Sequence, residues 1–355
     1  MRNFVAAALL LTFVLPAAAQ TKRVIISTDL AIGVSGGWRA RNDPDDGWAV
    51  AMALADRTLK TTAIVTVLGN SNVAPQQIAA EHLIRNVLGR RDVVLAQGAA
   101  VKLDNPQAML GTRPLTRDCW NHGVQAMADE LKRGAATIIA IGPLTDVACL
   151  AMNDAGAARN ITEVIAIMGR APKQSFAIGK HSGLTDFNLA SDDRSTQVLL
   201  DQTTIPMTFL QFSLTKSSLI SIATVKSLNG GGKVKQFFHD TTLPWAEWWS
   251  GVFAEGGFHP WDSNAVYYAG HPSAFACSAV QYQFVSCADG STPYNRNPQC
   301  AGHSLTPPQP SSLDREAVQV WLAPGLSKSR TVKTCTAYAS PAAKQAFEKA
   351  AAGFF

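Results

Sequence analysis

The chain has 355 residues, 47% of them hydrophobic and 16% charged, and its 31 Lys and Arg against 26 Asp and Glu give a formal charge of +5. That is enough apolar chain for a full core and excludes a protein dominated by disorder. The basic residues are scattered rather than gathered in a stripe with aromatics, so a nucleic-acid partner is not indicated.

The first twenty residues read as a targeting segment. Arg2 supplies a short positive start, residues 5–15 are almost wholly apolar, and small residues follow up to Ala19. This is the pattern of a secretory signal peptide cleaved after Ala19 or Gln20. The apolar run is short for a bilayer span, so no stable membrane insertion is expected after its removal, and the predicted location is the periplasm or the exterior.

Residues 23–29 predict a buried strand ending in an acid. A Gly-rich insertion with Trp38, Arg39 and Arg41 occupies the region near 30–44, and Pro44, Asp45 and Asp46 then open a helix. Acids suit a first turn because unpaired N–H groups and the helix dipole favour negative charge there. Further strands are predicted at 61–68, 93–96, 136–141, 161–168 and 205–210, with helices at 75–87, 121–133 and 147–152 between them. Residues 245–261 are aromatic and are expected to frame a cleft. Residues 285–312 look like an irregular insertion, and 342–351 like a terminal helix. Strands alternating with helices imply right-handed crossovers. The predicted fold is therefore one α/β domain over 21–355, a mainly parallel open sheet covered by helices, whose strands are continuously apolar because both faces are buried.

Six cysteines occur without a CxxC pair, which argues against thioredoxin-like redox chemistry and a zinc knuckle. Export would permit disulfides. Cys119 and Cys149 stand apart from the four in the last quarter, where Cys287–Cys300 is the expected loop closure; the pairing is otherwise open.

In an open α/β sheet, ligands bind beyond the carboxyl ends of the strands. Asp29, Asn70 and Ile141 fall at such ends, and Asp45 and Asp46 start a helix. Converging carboxylates repel one another when empty. A hard cation resolves that, and calcium takes carboxylate and carbonyl oxygens in flexible geometry. Helix capping is the competing account of the same acids. No GxSxG elbow is present, and Gly33, Gly36 and Gly37 have the wrong spacing for a dinucleotide fingerprint.

Five motifs in order carry a resemblance: residues 25–29 with Asp45-Asp46-Gly47, residues 65–70, residues 141–148, Asp186-Phe187-Asn188, and residues 261–266. Together they resemble the inosine-uridine-preferring nucleoside hydrolase family over residues 23–270, with a weaker echo at 314–350. The resemblance implies a nucleoside hydrolase-like fold and calcium held by Asp29, Asp46, Asp262 and the backbone carbonyl of Ile141. It further implies ribose contacts from Asp45, Asn70, Asp186 and Asn188, and Asp29 as the base that takes a proton from the attacking water. The expected reaction is hydrolysis of the N-glycosidic bond of a small-molecule ribosyl substrate, a purine ribonucleoside by preference.

Three departures bear on this. The insertion after Asp29 replaces a tight turn, leaving Asp43 as an alternative to Asp29 or Asp45. Asp186 stands where the family has Glu. Trp261 stands where the family has a histidine that protonates the departing base; Trp cannot supply that proton but can stack on a purine. A protein that binds nucleosides or sugars without turnover, or that hydrolyses a related non-nucleoside glycoside, is the alternative, and a homo-oligomer stays open.

Overall fold

The computed structural model describes residues 21–35, 42–103, 119–169, 177–179, 181–182, 186–285, 319–322 and 330–355. The expected signal peptide at 1–20, Trp38 of the first insertion, nearly all of the second insertion, and the Cys287–Cys300 pair lie outside them.

The first strand, β1 (Lys22–Thr28), is a β-branched run whose last five residues are buried. It is followed by α1 (Asp45–Ala55), β2 (Leu59–Thr66), α2 (Val73–Glu81), β3 (Val94–Gln97), α3 (His122–Arg133), β4 (Ala136–Ala140), α4 (Thr145–Asn153) and β5 (Ile161–Ile167). Every one of these meets an expected element to within a few residues, the helix expected over 75–87 being met by α2 together with the π-helical turn His82–Val87 that continues it. The later principal elements are α5 (Asp193–Gln202), β6 (Met207–Leu210), α6 (Lys233–Phe253), α7 (Ser263–Gly270), β7 (Phe275–Val285), β8 (Gln319–Leu322), β9 (Arg330–Tyr338) and α8 (Pro341–Ala352).

The nine strands form one sheet in the order β8-β7-β9-β6-β5-β4-β1-β2-β3. The pairs from β3 through β9 are parallel. Only β7 runs against its neighbours. The sheet is thus mainly parallel and covered on both faces, as expected. On one face Trp48 of α1 is fully buried among Phe238, Phe258, Phe354 and Phe355, ring centroids 5.4–5.7 Å away. Its indole N–H donates to Thr242 Oγ1 at 2.9 Å, so the ring is buried with its one polar atom satisfied. On the other face α3, α4 and α5 pack their apolar residues against Ile25, Ala63, Val65 and Ile138.

Two features differ from the sequence expectation, and two disulfides supply a pairing that it left open. The aromatic stretch belongs largely to α6, a 21-residue helix that continues through Pro244. Trp245 is 3% exposed in the core rather than at a cleft. Proline in a helix interior removes a hydrogen bond, so local pattern argued against this helix and packing of Phe238, Trp245 and Ala246 overrode it. Cys119 and Cys149, which stand apart in sequence, are joined in a disulfide with Cα atoms 5.9 Å apart. Cys277 is joined to Cys335 across β7 and β9. Such pairing depends on Cα proximity, which only the folded chain sets. Among the described residues no helix is long and apolar enough to cross a membrane.

Candidate active site

Because the core strands run parallel, their carboxyl ends lie together at one pole of the sheet. Asp29 follows β1 there, Asn70 the end of β2, Ile141 the end of β4, and Gly169 the end of β5. The start of α1 brings Asp45 and Asp46, and the start of α7 brings Asp262. Asp29, Asp45, Asp46 and Asp262 are each less than 5% exposed. Carboxylate oxygens of Asp45, Asp46 and Asp262 lie within 4.8 Å of one another. Among the described residues no Lys, Arg or His forms an ion pair with any of the four.

Neutral groups hold these acids in place. Thr28 Oγ1 donates to Asp46 Oδ1 (2.5 Å), and Asn70 Nδ2 donates to Asp46 Oδ2 (3.0 Å). The Asn70 backbone N–H donates to Asp29 Oδ2 at 2.8 Å. Burial and then the neighbouring Asp45 push the Asp46 carboxyl up to about 8. Burial and the charge of Asp46 raise Asp29 well above the carboxylate range. Burial first, then Asp45, Asp46 and Asp29, do the same to Asp262. These are groups for which both the lost water and the like-charge neighbours disfavour ionisation. A dense set of carboxylate oxygens with no cationic partner among the described residues fits a hard divalent cation such as calcium.

The expected residues take distinct places. Asp45 stands in the tight group with Asp46 and Asp262, whereas Asp29 lies beside it and faces Asp46. Asp43 Oδ1 accepts the Asp45 backbone N–H at 3.2 Å and so braces the first turn of α1. Asn188 donates its amide to the carbonyls of Ile141 and Ile167, both at 3.2 Å, tying the ends of β4 and β5 together. Asp186 Oδ2 accepts the Gly169 N–H at 2.6 Å. Trp261 is half-buried, with its ring stacked on Phe212 (centroids 5.6 Å, planes at 17°) and the His259 ring 4.5 Å away.

A scan against protein-family descriptions matches residues 24–345 to the inosine-uridine preferring nucleoside hydrolases. The chain belongs to the inosine-uridine preferring nucleoside hydrolase family. Over 212 residues it is 27% identical to a non-specific ribonucleoside hydrolase of Klebsiella pneumoniae, covering 54% of this chain and 66% of that relative. Its fold is similar to a purine-preferring ribonucleoside hydrolase from Gardnerella vaginalis (TM-score 0.68, 16% identity, covering 94% of this chain and 99% of the other). It is also similar to an inosine-uridine preferring nucleoside hydrolase from Bacillus anthracis (TM-score 0.61, 12% identity, covering 94% and 99%).

Within this nucleoside hydrolase family member, sequence reading missed several site residues. Thr28, Phe212 and His259 were not singled out for the positions they hold. Thr28 adjoins Asp29 at a strand end, which is a usable signal. Phe212 is 49 residues from Trp261 and carries none. His259 is only two residues from Trp261, and its ring nitrogens face the Ser218 carbonyl (2.7 Å) and the Glu255 carboxylate. Burial pushes its pKa down.

Proposed function

We propose that this protein hydrolyses the N-glycosidic bond of ribonucleosides to ribose and free base in a calcium-dependent reaction, with purine nucleosides preferred. The observation that carries this reading is the buried group of Asp45, Asp46 and Asp262 within 4.8 Å at the carboxyl pole of the sheet in a member of this family. Asp29, Asp46, Asp262 and the Ile141 carbonyl are the assigned calcium oxygens, and Asp45, Asn70, Asp186 and Asn188 the assigned ribose contacts. When bound, calcium supplies Lewis acidity and neutralises the clustered acids.

The remaining chemistry belongs to the side chains. Asp29 accepts the proton of the attacking water, its Oδ2 being held by the Asn70 N–H. Carboxylate and amide oxygens around the sugar stabilise positive charge growing at the anomeric carbon. Fixing the ribose hydroxyls supplies orientation before the bond breaks. Trp261, braced on Phe212, offers an aromatic face to the departing base, which supports a purine preference. The Gardnerella protein of the same fold is described as purine-preferring, which points the same way.

Purified protein is expected to release base from inosine and adenosine on addition of calcium, and Asp29→Asn to lower kcat by at least ~10²-fold. Calcium affinities of Asp29→Asn and Asp45→Asn, read by equilibrium dialysis, assign the two acids between metal and sugar. Calcium binding without base release from a broad ribonucleoside panel would replace the hydrolase with a nucleoside-binding protein. The reading includes export: the mature chain recovered from the cell envelope or medium should begin at Gln20 or Thr21 by mass spectrometry.

A further inference from the structure

Trp261 and Asp262 sit on one short segment between α6 and α7, and His259 fastens its start. The chain leaves α6 at Ala254, whose backbone is left-handed (φ 59°), a conformation that a residue with a Cβ adopts only at a cost. Glu255 follows, and then Gly257–Phe258 pairs with Ile220–Ser221. His259 comes next and is 4% exposed. Its Nδ1 stands 2.7 Å from the Ser218 carbonyl, and its Nε2 meets Glu255 Oε2. The other oxygen of Glu255 accepts the Gly179 N–H at 3.1 Å. Past the imidazole, the Asn264 amide donates to the carbonyls of Pro260 (3.0 Å) and Trp261 (3.2 Å).

A carbonyl oxygen can only accept, so Nδ1 carries a hydrogen. If Nε2 offered a lone pair to a carboxylate, two acceptors would touch in a buried place, which is costly. One further proton therefore lies between His259 and Glu255, and with it the pair carries no net charge. Burial works against a separate charge on the ring and pushes its pKa down, with Lys216 adding to this, while Ser218 and Glu255 oppose them. Lys216 itself faces the Ala177 carbonyl and the Phe212 ring. Among the described residues, two rings lie against Trp261. The Phe212 ring has no hydrogen-bonding atom to fix its angle. The imidazole, 4.5 Å away with planes at 43°, is fixed by two. A ring aimed in this way can hold its neighbour in one geometry.

We propose that His259, oriented by Ser218 and Glu255, is the positioning residue that sets the Trp261 indole for the base of the substrate, an inference that rests on the assignment of Trp261 to the departing base. Both ring nitrogens are engaged, so His259 acts through Trp261 and does not itself reach the reacting atoms. No histidine stands at 261; one stands two residues earlier and serves the base through the indole.

The test is a double-mutant cycle on calcium-loaded protein, read as kcat/KM for inosine and as the inhibition constant of free ribose. Glu255→Leu and His259→Phe should each lower kcat/KM roughly tenfold, less than the ~10²-fold that a misplacement of about 1 Å can cost. Glu255→Gln should keep most of it, because its amide donates to Nε2 of a neutral ring while its oxygen still accepts the Gly179 N–H. In a Trp261→Ala background Glu255→Leu should cost nothing further, since residues that act through one another are not additive. Ribose inhibition should stay at the wild-type value throughout. Undiminished kcat/KM in both single variants, additive losses in the cycle, or ribose inhibition that weakens in step with inosine overturns the positioning role. Absence of base release by the wild type overturns the hydrolase reading instead. The same cycle is then read as inosine affinity by isothermal titration, where additive losses, or no inosine binding, overturn the positioning role too.

Discussion

Asp46 is fully buried, and the donors that reach its oxygens, Thr28 and Asn70, carry no charge. In the unfolded chain such a carboxyl loses its proton near pH 4. In the folded, calcium-free protein it holds the proton to about 8, because burial and Asp45 disfavour the anion. The folded state therefore binds more protons across that window, and stability present below pH 4 is lost as pH rises toward 8. Chelated protein should melt at a lower temperature at pH 8 than at pH 6, and Asp46→Asn should flatten this slope; equal slopes in the two proteins would refute the linkage. Trp261 makes a second prediction at this scale. Truncation to Ala removes the ring that Phe212 braces, and base–aromatic stacking is worth enough to lower kcat/KM for inosine by roughly tenfold or more. Trp261→Phe should recover part of it, and steady-state kinetics unchanged by either substitution would remove Trp261 from the base site.

The elements aim these residues through a few tight approaches. Gly69 follows β2 where a Cβ would lie 1.9 Å from Asp29 Oδ2, so Gly69→Ala must push the carboxylate aside. Its expected result is a folded protein, by circular dichroism, whose kcat falls about as far as that of Asp29→Asn. The Cys119–Cys149 disulfide, spanning 30 residues, pins the entry of α3 to α4. Closing a loop of that size typically stabilises by about 2–4 kcal/mol, chiefly by restricting the unfolded chain. Cys119→Ser with Cys149→Ser should lower the denaturation midpoint accordingly while leaving the hydrolytic activity in place below it. The boundaries of the first half were legible because each strand there is a short apolar run bounded by turn residues and each helix is amphipathic or small-residue rich. From α5 onward the signals weakened. Pro244 lies inside α6, where a proline removes a helical hydrogen bond, and β9 mixes buried with exposed residues instead of running continuously apolar.

At the scale of the whole molecule, β1, α1 and α7 each contribute acids to one buried group, although Asp29 and Asp262 are 233 residues apart in sequence. An ion that binds there binds the folded state and not the unfolded one, which raises stability by mass action. Calcium should therefore raise the melting temperature in a concentration-dependent way, and more at pH 8, where the acids are free to ionise, than at pH 6. A melting temperature indifferent to calcium at both pH values would speak against a shared site.

The chemistry of the site was written into the sequence: acids, amides and small residues at strand ends, with Trp261 close before Asp262. Local pattern suffices for that, since a strand followed by an acid places the acid at the sheet's carboxyl edge whatever else the chain does. The fold alone decided which acids meet, with Asp45 closing on Asp46 and Asp262 and Asp43 beside them accepting the Asp45 N–H, and which cysteines pair. It also decided that Phe212 and His259 flank Trp261. Those outcomes are distances between residues remote in sequence, and a distance of that kind is fixed by packing and sheet register rather than by any neighbour along the chain.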